Sequence, residues 1–174
     1  ILRNSDSMPM TQQRAMTELR KSLDRRTIVT AGAGLTQHTT LLDFPVYEPR
    51  THMSSGGFSS MGFTVPAAIG AKLAQPDRTV VGIAGDGDFM QTMQEIAVPA
   101  RLDIPILFIV MNNSGWISIR DGQLGMFGRS IETEFRKPDG SDYSPHFSNI
   151  AKEFGLYSER INDPNDIGPA VKRS

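Results

Sequence analysis

The sequence predicts an α/β fold: a doubly wound, mostly parallel sheet with helices on both faces. Two observations carry that prediction. Residues 27–31, 79–84 and 106–111 are strand-length runs that are apolar or β-branched throughout, the pattern of strands covered on both sides. Segments with helical spacing separate them, which is the order of a β-α-β chain.

Taken in order, residues 11–23 carry Ala15, Met16, Leu19 and Leu23 on one helical face. Residues 27–31 form a short buried strand bounded by Gly32 and Gly34, and 36–42 a helix. Residues 49–62, rich in Gly and Ser, read as a loop. Residues 65–74 read as a helix of small residues, with Pro66 near its start, where a missing donor does little harm. A second strand (79–84), a helix (88–102) and a third strand (106–111) follow. Residues 114–142 read as irregular, with glycines and charges of both signs. Residues 147–154 return to helix, 156–160 suggest a fourth strand, and a last helix starts near Asn165. Residues 1–10 read as a linker entered mid-chain and 11–174 as the domain. A doubly wound sheet would place one more strand after the last helix, so the C-terminus reads as cut.

Bulk properties bound the function. A chain of 174 residues suits one domain. At 39% hydrophobic, 21% charged and net charge −1, it has no basic face for nucleic acid. Without cysteine there is neither a disulfide framework nor a thiolate metal site, which fits a reducing cytoplasm. The longest apolar stretch, 104–111, is interrupted by Pro105 and too short to span a bilayer. No secretory signal is visible.

The chemistry concentrates in Ile83-Ala84-Gly85-Asp86-Gly87-Asp88-Phe89, where a strand runs through Gly-Asp-Gly into a helix. Gly85 and Gly87 let the backbone turn sharply and approach a ligand. Unpaired amides at the helix start favour an anion. Asp86 sets a carboxylate beside that anion, which calls for a cation between them, and magnesium bridging carboxylate and phosphate oxygens fits. After the third strand comes Met111-Asn112-Asn113-Ser114-Gly115. Open parallel sheets bind ligands beyond the carboxyl ends of their strands, where Asp86 and Asn113 both fall. An amide oxygen is a sensible neutral ligand when phosphate supplies most of the negative charge.

The segment GDGDFMQTMQEIAVPARLDIPILFIVMNN, residues 85–113, resembles the thiamine-diphosphate-dependent enzymes of the acetolactate synthase, pyruvate oxidase and benzoylformate decarboxylase type. Their signature is Gly-Asp-Gly, a helix and strand, then Asn-Asn. The resemblance implies thiamine diphosphate held through Mg2+. Asp86 and Asn113 would be metal ligands, with the backbone carbonyl of Gly115 as a third. The amides of Gly87, Asp88 and Phe89, with Gly85, would hold the diphosphate. Several relatives have Ser or Gly at Asp88, and its acidic side chain is expected to turn away from the phosphate and cap its own helix. Upstream, SGGFSSMGFTVPAAIGAKLA (55–74) is similar to the family's Ser-Gly-Gly … Met-Gly-Phe … Pro-Ala-Ala-Ile-Gly segment. It places Met61 beneath the thiazolium ring, where an adaptable thioether suits the wedge that bends the cofactor. The backbone of Ser59 and Met61 would bind the aminopyrimidine. The first strand's loop contributes Thr36 or His38 as further diphosphate contacts. The family carries Gly-Gln-His here; an ungapped count sets Leu35 and Thr36 at the Gln and His, and Gln37-His38 matches by letter only after a two-residue slip, so both candidates stay open.

The family's activating glutamate sits on a pyrimidine-binding domain N-terminal to this region, so no catalytic residue is expected here, and Glu95 reads as an ordinary helix residue. The resemblance covers residues 8–171 and implies a larger homodimeric or tetrameric enzyme acting on 2-oxo acids or diketones. It admits FAD elsewhere in that parent, and in isolation the segment would be inactive and prone to self-association. Trp116, Arg120, Gln123 and Phe127 would line or close over the thiazolium, with Trp116 touching cofactor, and residues 134–140 look like an insertion. Hydrolysis of a cyclic dione and a non-catalytic cofactor-binding module remain competing readings. A dinucleotide fingerprint starting at Gly32-Ala33-Gly34 fails because Gln37 occupies its third glycine. No Gly-Lys-Ser/Thr follows a strand, which removes the P-loop reading.

Overall fold

The computed structural model describes residues 2–174. Four parallel strands, β1 (Ile28–Ala31), β2 (His52–Ser54), β3 (Val80–Gly85) and β4 (Leu107–Met111), lie in the order β2-β1-β3-β4. Helices α1 (Gln12–Lys21), α2 (Leu35–Asp43), α3 (Thr64–Ala74), α4 (Asp86–Thr92), α5 (Ala97–Leu102), α6 (Ile117–Phe127), α7 (Phe147–Glu153) and α8 (Ile167–Arg173) surround them. The doubly wound α/β architecture read from the strand and helix pattern is the observed one.

Alternation along each strand assigns the two faces. Val29, Val81, Ile83, Leu107, Ile109 and Met111 meet Met16 and Leu19 of α1 and Ile167 and Val171 of α8. On the other face, Ile28, Val80, Ala84, Phe108 and Val110 meet Val65, Ala68 and Ile69 of α3, with Phe89 of α4 and Phe147 of α7. Burying a side chain such as Met16, which is 0% exposed, stabilises by about 1.5–3 kcal/mol. Helix α1 begins where Thr11 accepts the N–H of Arg14 at 3.2 Å.

The structure corrects several expectations. The fourth strand is β2, three residues at the sheet edge inside the segment expected to be a loop, and too short for any periodicity to show. Residues 156–160 have no strand partner among the described residues; Leu156 packs into the core and Ser158 bonds the Ser148 carbonyl instead. The helix expected over 88–102 starts earlier, at Asp86, and is broken by a 3-10 turn at Met93–Ile96. That break puts Pro99 in the first turn of α5, where its missing N–H costs no helical bond. The stretch expected to be irregular holds α6, an 11-residue helix closed by Gly128 in the left-handed region. Residues at the chain start pack on the domain: Arg3 pairs with Asp43 at 2.6 Å, and the Thr11 hydroxyl bonds the Leu2 carbonyl. Among the described residues, no helix is long and apolar enough to cross a membrane.

Candidate cofactor and metal site

The site forms where β1, β3 and β4 end on the same side of the sheet. Parallel pairing in register, Ala31 with Ile83 and Gly85 with Met111, brings the loops after these strands together. Asp86, the first residue of α4, is 2% exposed. Its Oδ1 accepts the Gly87 N–H at 2.8 Å, and its Oδ2 accepts the N–H groups of Asn113 at 3.2 Å and Gly115 at 3.3 Å. The acid and the amide-bearing loop predicted to act together are thus joined directly. Gly115 is buried, whereas Asn113 is exposed.

Burial pushes the Asp86 carboxyl above the usual carboxylate range, and the backbone N–H groups around it pull it only partway back. It takes part in no ion pair among the described residues. A buried carboxylate without a countercharge is costly, and a hard divalent cation is the group that would supply one. The described residues contain no group of three or more His, Cys, Asp or Glu able to hold a metal. The group at hand is instead one carboxylate, Asp86, bonded to the backbone N–H groups of the Asn113–Gly115 loop. A single carboxylate suits an ion that takes its remaining ligands from phosphate oxygens. Gly85, the residue before α4, offers no side-chain cap; among the first-turn amides, that of Gly87 is taken by Asp86 Oδ1. The residues present fit a magnesium-bound diphosphate.

The glycines of the motif serve close approach rather than an unusual turn. Gly85 has φ −72° and ψ 161°, ordinary extended backbone, and Gly87 lies within the helix. A Cβ on Gly87 would come 2.5 Å from Trp116 Nε1 and 3.4 Å from Met61 Cε. Gly87, Met61 and Trp116 therefore converge on one point. Trp116 is 39% exposed and stacks edge-to-face on Phe135 at 5.0 Å. Phe89 is buried in the core against Phe147, with centroids 5.6 Å apart.

Asp88 does not cap its own helix, contrary to expectation. It is 3% exposed, and its carboxylate crosses to the loop before α3, accepting the Gly62 N–H and the Thr64 hydroxyl, each at 2.6 Å. A Cβ on Gly32 would overlap this carboxylate, so the absent side chain there makes its room. Between the two candidates on α2, Thr36 is buried with its hydroxyl 3.3 Å from the position of a Cβ on Gly85, while His38 is exposed. Gln37, which matches the family's Gln only after the slip and is not one of the expected contacts, is buried and accepts the Ser59 hydroxyl at 2.8 Å. Ser59 itself has φ 54°. Its link to Gln37 has no sequence signal, because Ser59 lies on a loop and Gln37 on α2, 22 residues apart.

Arg120, Gln123 and Phe127 follow at helical spacing along α6 from Trp116, the residue before its first turn, and meet the returning chain. Arg120 approaches Glu134 at 3.6 Å, Gln123 accepts the Ile131 N–H at 2.8 Å, and Phe127 lines a cleft with Arg129 and Ile131. An 11-residue helix is about 16 Å long, so only its Trp116 end lies at the Asp86 site.

Over residues 12–174 the chain matches the family described as the C-terminal TPP binding domain of thiamine pyrophosphate enzymes. It is 33% identical to a probable acetolactate synthase large subunit of Methanococcus aeolicus over 97% of this chain and 28% of that protein. It is 35% identical to a mitochondrial acetolactate synthase catalytic subunit of Aspergillus candidus, covering 94% of this chain and 23% of the relative. It is 32% identical to a 3D-(3,5/4)-trihydroxycyclohexane-1,2-dione hydrolase of Lacticaseibacillus casei, covering 94% and 25%. The chain thus spans about a quarter of the length of these relatives.

Proposed function

The chain belongs to the C-terminal thiamine-pyrophosphate-binding domain family of thiamine pyrophosphate enzymes, and from that premise we propose that it holds the diphosphate end of thiamine diphosphate through Mg2+ within a larger enzyme acting on 2-oxo acids or diketones. The observation that carries the metal assignment is the buried Asp86 carboxylate, without an ion-pair partner among the described residues and tied to the Asn113–Gly115 loop.

In this reading Asp86, the Asn113 side chain and the Gly115 carbonyl hold the ion, and the ion's charge offsets both Asp86 and the phosphates. The amides of Asp88 and Phe89 orient the diphosphate, and that of Gly87 joins them by leaving Asp86 Oδ1, with the Thr36 hydroxyl, beside Gly85, as the α2 contact rather than the exposed His38. Met61 and Trp116, converging over Gly87, flank the ring that follows the diphosphate. The backbone of Ser59 and Met61 faces the aminopyrimidine. Bound thiamine diphosphate supplies the nucleophilic carbon and the electron sink for C–C cleavage or ligation. The chain's own contribution is orientation and charge balance, and the isolated chain is inactive. A pyrimidine-binding domain and a second subunit complete the enzyme. The exposed Phe58, Leu42 and Met126, at 93%, 75% and 75%, support such neighbours.

A carboligase of the acetolactate synthase kind is the first substrate reading, given the names of two relatives. The dione hydrolase among the relatives favours a second, hydrolysis of a cyclic dione. Calorimetry of the full-length protein tests the cofactor assignment: thiamine diphosphate should bind tightly only with Mg2+, and equal affinity after chelation would refute it. A panel of 2-oxo acids and cyclic diones separates the two substrate readings.

A further inference from the structure

We infer that α4 carries a second device besides its first turn: Asp88 and Thr92 together grip Gly62 and thereby set how far Met61 reaches over Gly87. This inference rests on the thiamine diphosphate reading above and adds two positioning residues to it. Asp88 and Thr92 are four residues apart and so share one face of the helix. Asp88 Oδ1 accepts the Gly62 N–H at 2.6 Å, and the Thr92 hydroxyl donates to the Gly62 carbonyl at 3.1 Å. Both polar groups of one peptide residue are thus held by one helix. Gly62 has φ +81°, and a Cβ there would meet Thr92 Cγ2 at 3.0 Å and Gln91 Cβ at 3.1 Å. Only glycine both adopts that conformation at low cost and lies this close to α4.

The other side of the same loop is also held. The Ser59 hydroxyl donates to buried Gln37 at 2.8 Å, and Ser60 N–H donates to the Ser55 hydroxyl at 3.0 Å. Met61 therefore sits on a short span fixed at both ends, with its Cε 3.4 Å from the Cβ position of Gly87. A methionine side chain has three soft torsions and is 39% exposed here, so its own packing does little to fix its reach. The backbone grip does that. Asp88 also bonds the Thr64 hydroxyl at the start of α3, which on its own would be an ordinary capping role. Thr92 contributes nothing to such a cap, so its bond to Gly62 distinguishes a grip on the Met61 loop from simple support of α3.

The experiment is a double-mutant cycle in the full-length protein, with calorimetric affinity for thiamine diphosphate and Mg2+ alongside thermal midpoints. Thr92→Val keeps shape and removes one hydroxyl, and should weaken binding by roughly three- to tenfold, the worth of one hydrogen bond. In the Met61→Ala background the same substitution should change affinity by less than about twofold, because residues acting through one another are not additive. Asp88→Asn keeps an acceptor for Gly62 and should recover most of what Asp88→Ala loses. If Asp88→Ala fails to fold, the Thr92 and Met61 pair decides the matter alone. Equal Thr92→Val effects with and without Met61, or a lowered midpoint with unchanged affinity, would overturn the grip. Absence of binding by the unmodified protein would instead overturn the proposed function, a result the cycle separates cleanly from failure of the grip.

Discussion

The start of α4 and the segment that follows β4 treat their carboxylates in opposite ways. Asp86 and Asp88 are buried, form no ion pair among the described residues, and are held by N–H and hydroxyl donors. Burial raises both above the usual carboxylate range. In the segment from α6 to Asp142, acids and bases pair at the surface. Arg120 meets Asp121 at 2.9 Å, and Arg136 meets Glu134 and Asp142 at 2.9 Å each. Exposed pairs of that kind contribute about 0–1 kcal/mol, whereas an uncompensated buried charge costs several times as much. A fold carries such a cost where a ligand will offset it. On the proposed function, the contrast separates the charge site from a region whose contacts shape a surface.

Replacing Asp86 is the strongest way to break that contrast. Asp86→Ala in the full-length protein should weaken Mg2+-dependent retention of thiamine diphosphate by roughly a hundredfold or more, about 3 kcal/mol. Dialysis followed by quantification of bound cofactor reads this, and full retention would remove the metal assignment.

Next in size is Gly32→Ala, whose added Cβ would overlap the buried Asp88 carboxylate. Overpacking at a site that cannot relax destabilises by about 1–3 kcal/mol. Urea unfolding should show a lowered midpoint with an unchanged slope. An unaltered midpoint would mean that the carboxylate moves freely and that the α4 start is less rigid than described.

A half-buried histidine supplies a third test, of opposite pH sign to the two aspartates. His52 on β2 has Nε2 buried without a hydrogen-bond partner, and burial lowers its pKa. Its folded pKa lies below the unfolded value, so the unfolded chain binds more protons in the window beneath about 6.5. His52 therefore lowers stability as pH falls from that value toward the folded pKa. Protonation of Asp86 and Asp88, whose folded pKa values are raised, works the other way over the carboxylate range. His52→Asn should flatten the decline in thermal midpoint between neutral pH and about pH 5. An unchanged profile would assign that decline elsewhere.

The smallest effect belongs to the surface region. Arg136→Ala removes two exposed pairs and should change stability by less than about 1 kcal/mol. A loss several times larger would show that the segment after β4 is as tightly determined as the start of α4, and the comparison would fail.

How much was legible in the sequence follows from the range of the signals. The fold class, three strands, α1, α3 and the pairing of Asp86 with the Asn113 loop all rest on local patterns: continuous apolar runs, helical periodicity, and a turn motif after a strand. Helix α6 was legible in principle, since Trp116, Arg120, Gln123 and Phe127 recur at helical spacing before Gly128, but interspersed glycines and charges hid it. Strand β2 was not legible, because three residues carry no period and are defined only by the ladder they make with β1. The fate of the Asp88 side chain was not legible either. A helix-start aspartate caps its own helix unless a better donor stands elsewhere, and the Gly62 N–H and Thr64 hydroxyl arrive only when α3 packs beside α4. The same holds for Gln37 with Ser59, and for the choice between Thr36 and His38, which depends on which face of α2 turns toward Gly85. Short-range chemistry is written in the order of residues. Which loops share a strand end, and so which donors a buried acid meets, is decided by the crossing of chain segments 22 to 29 residues apart.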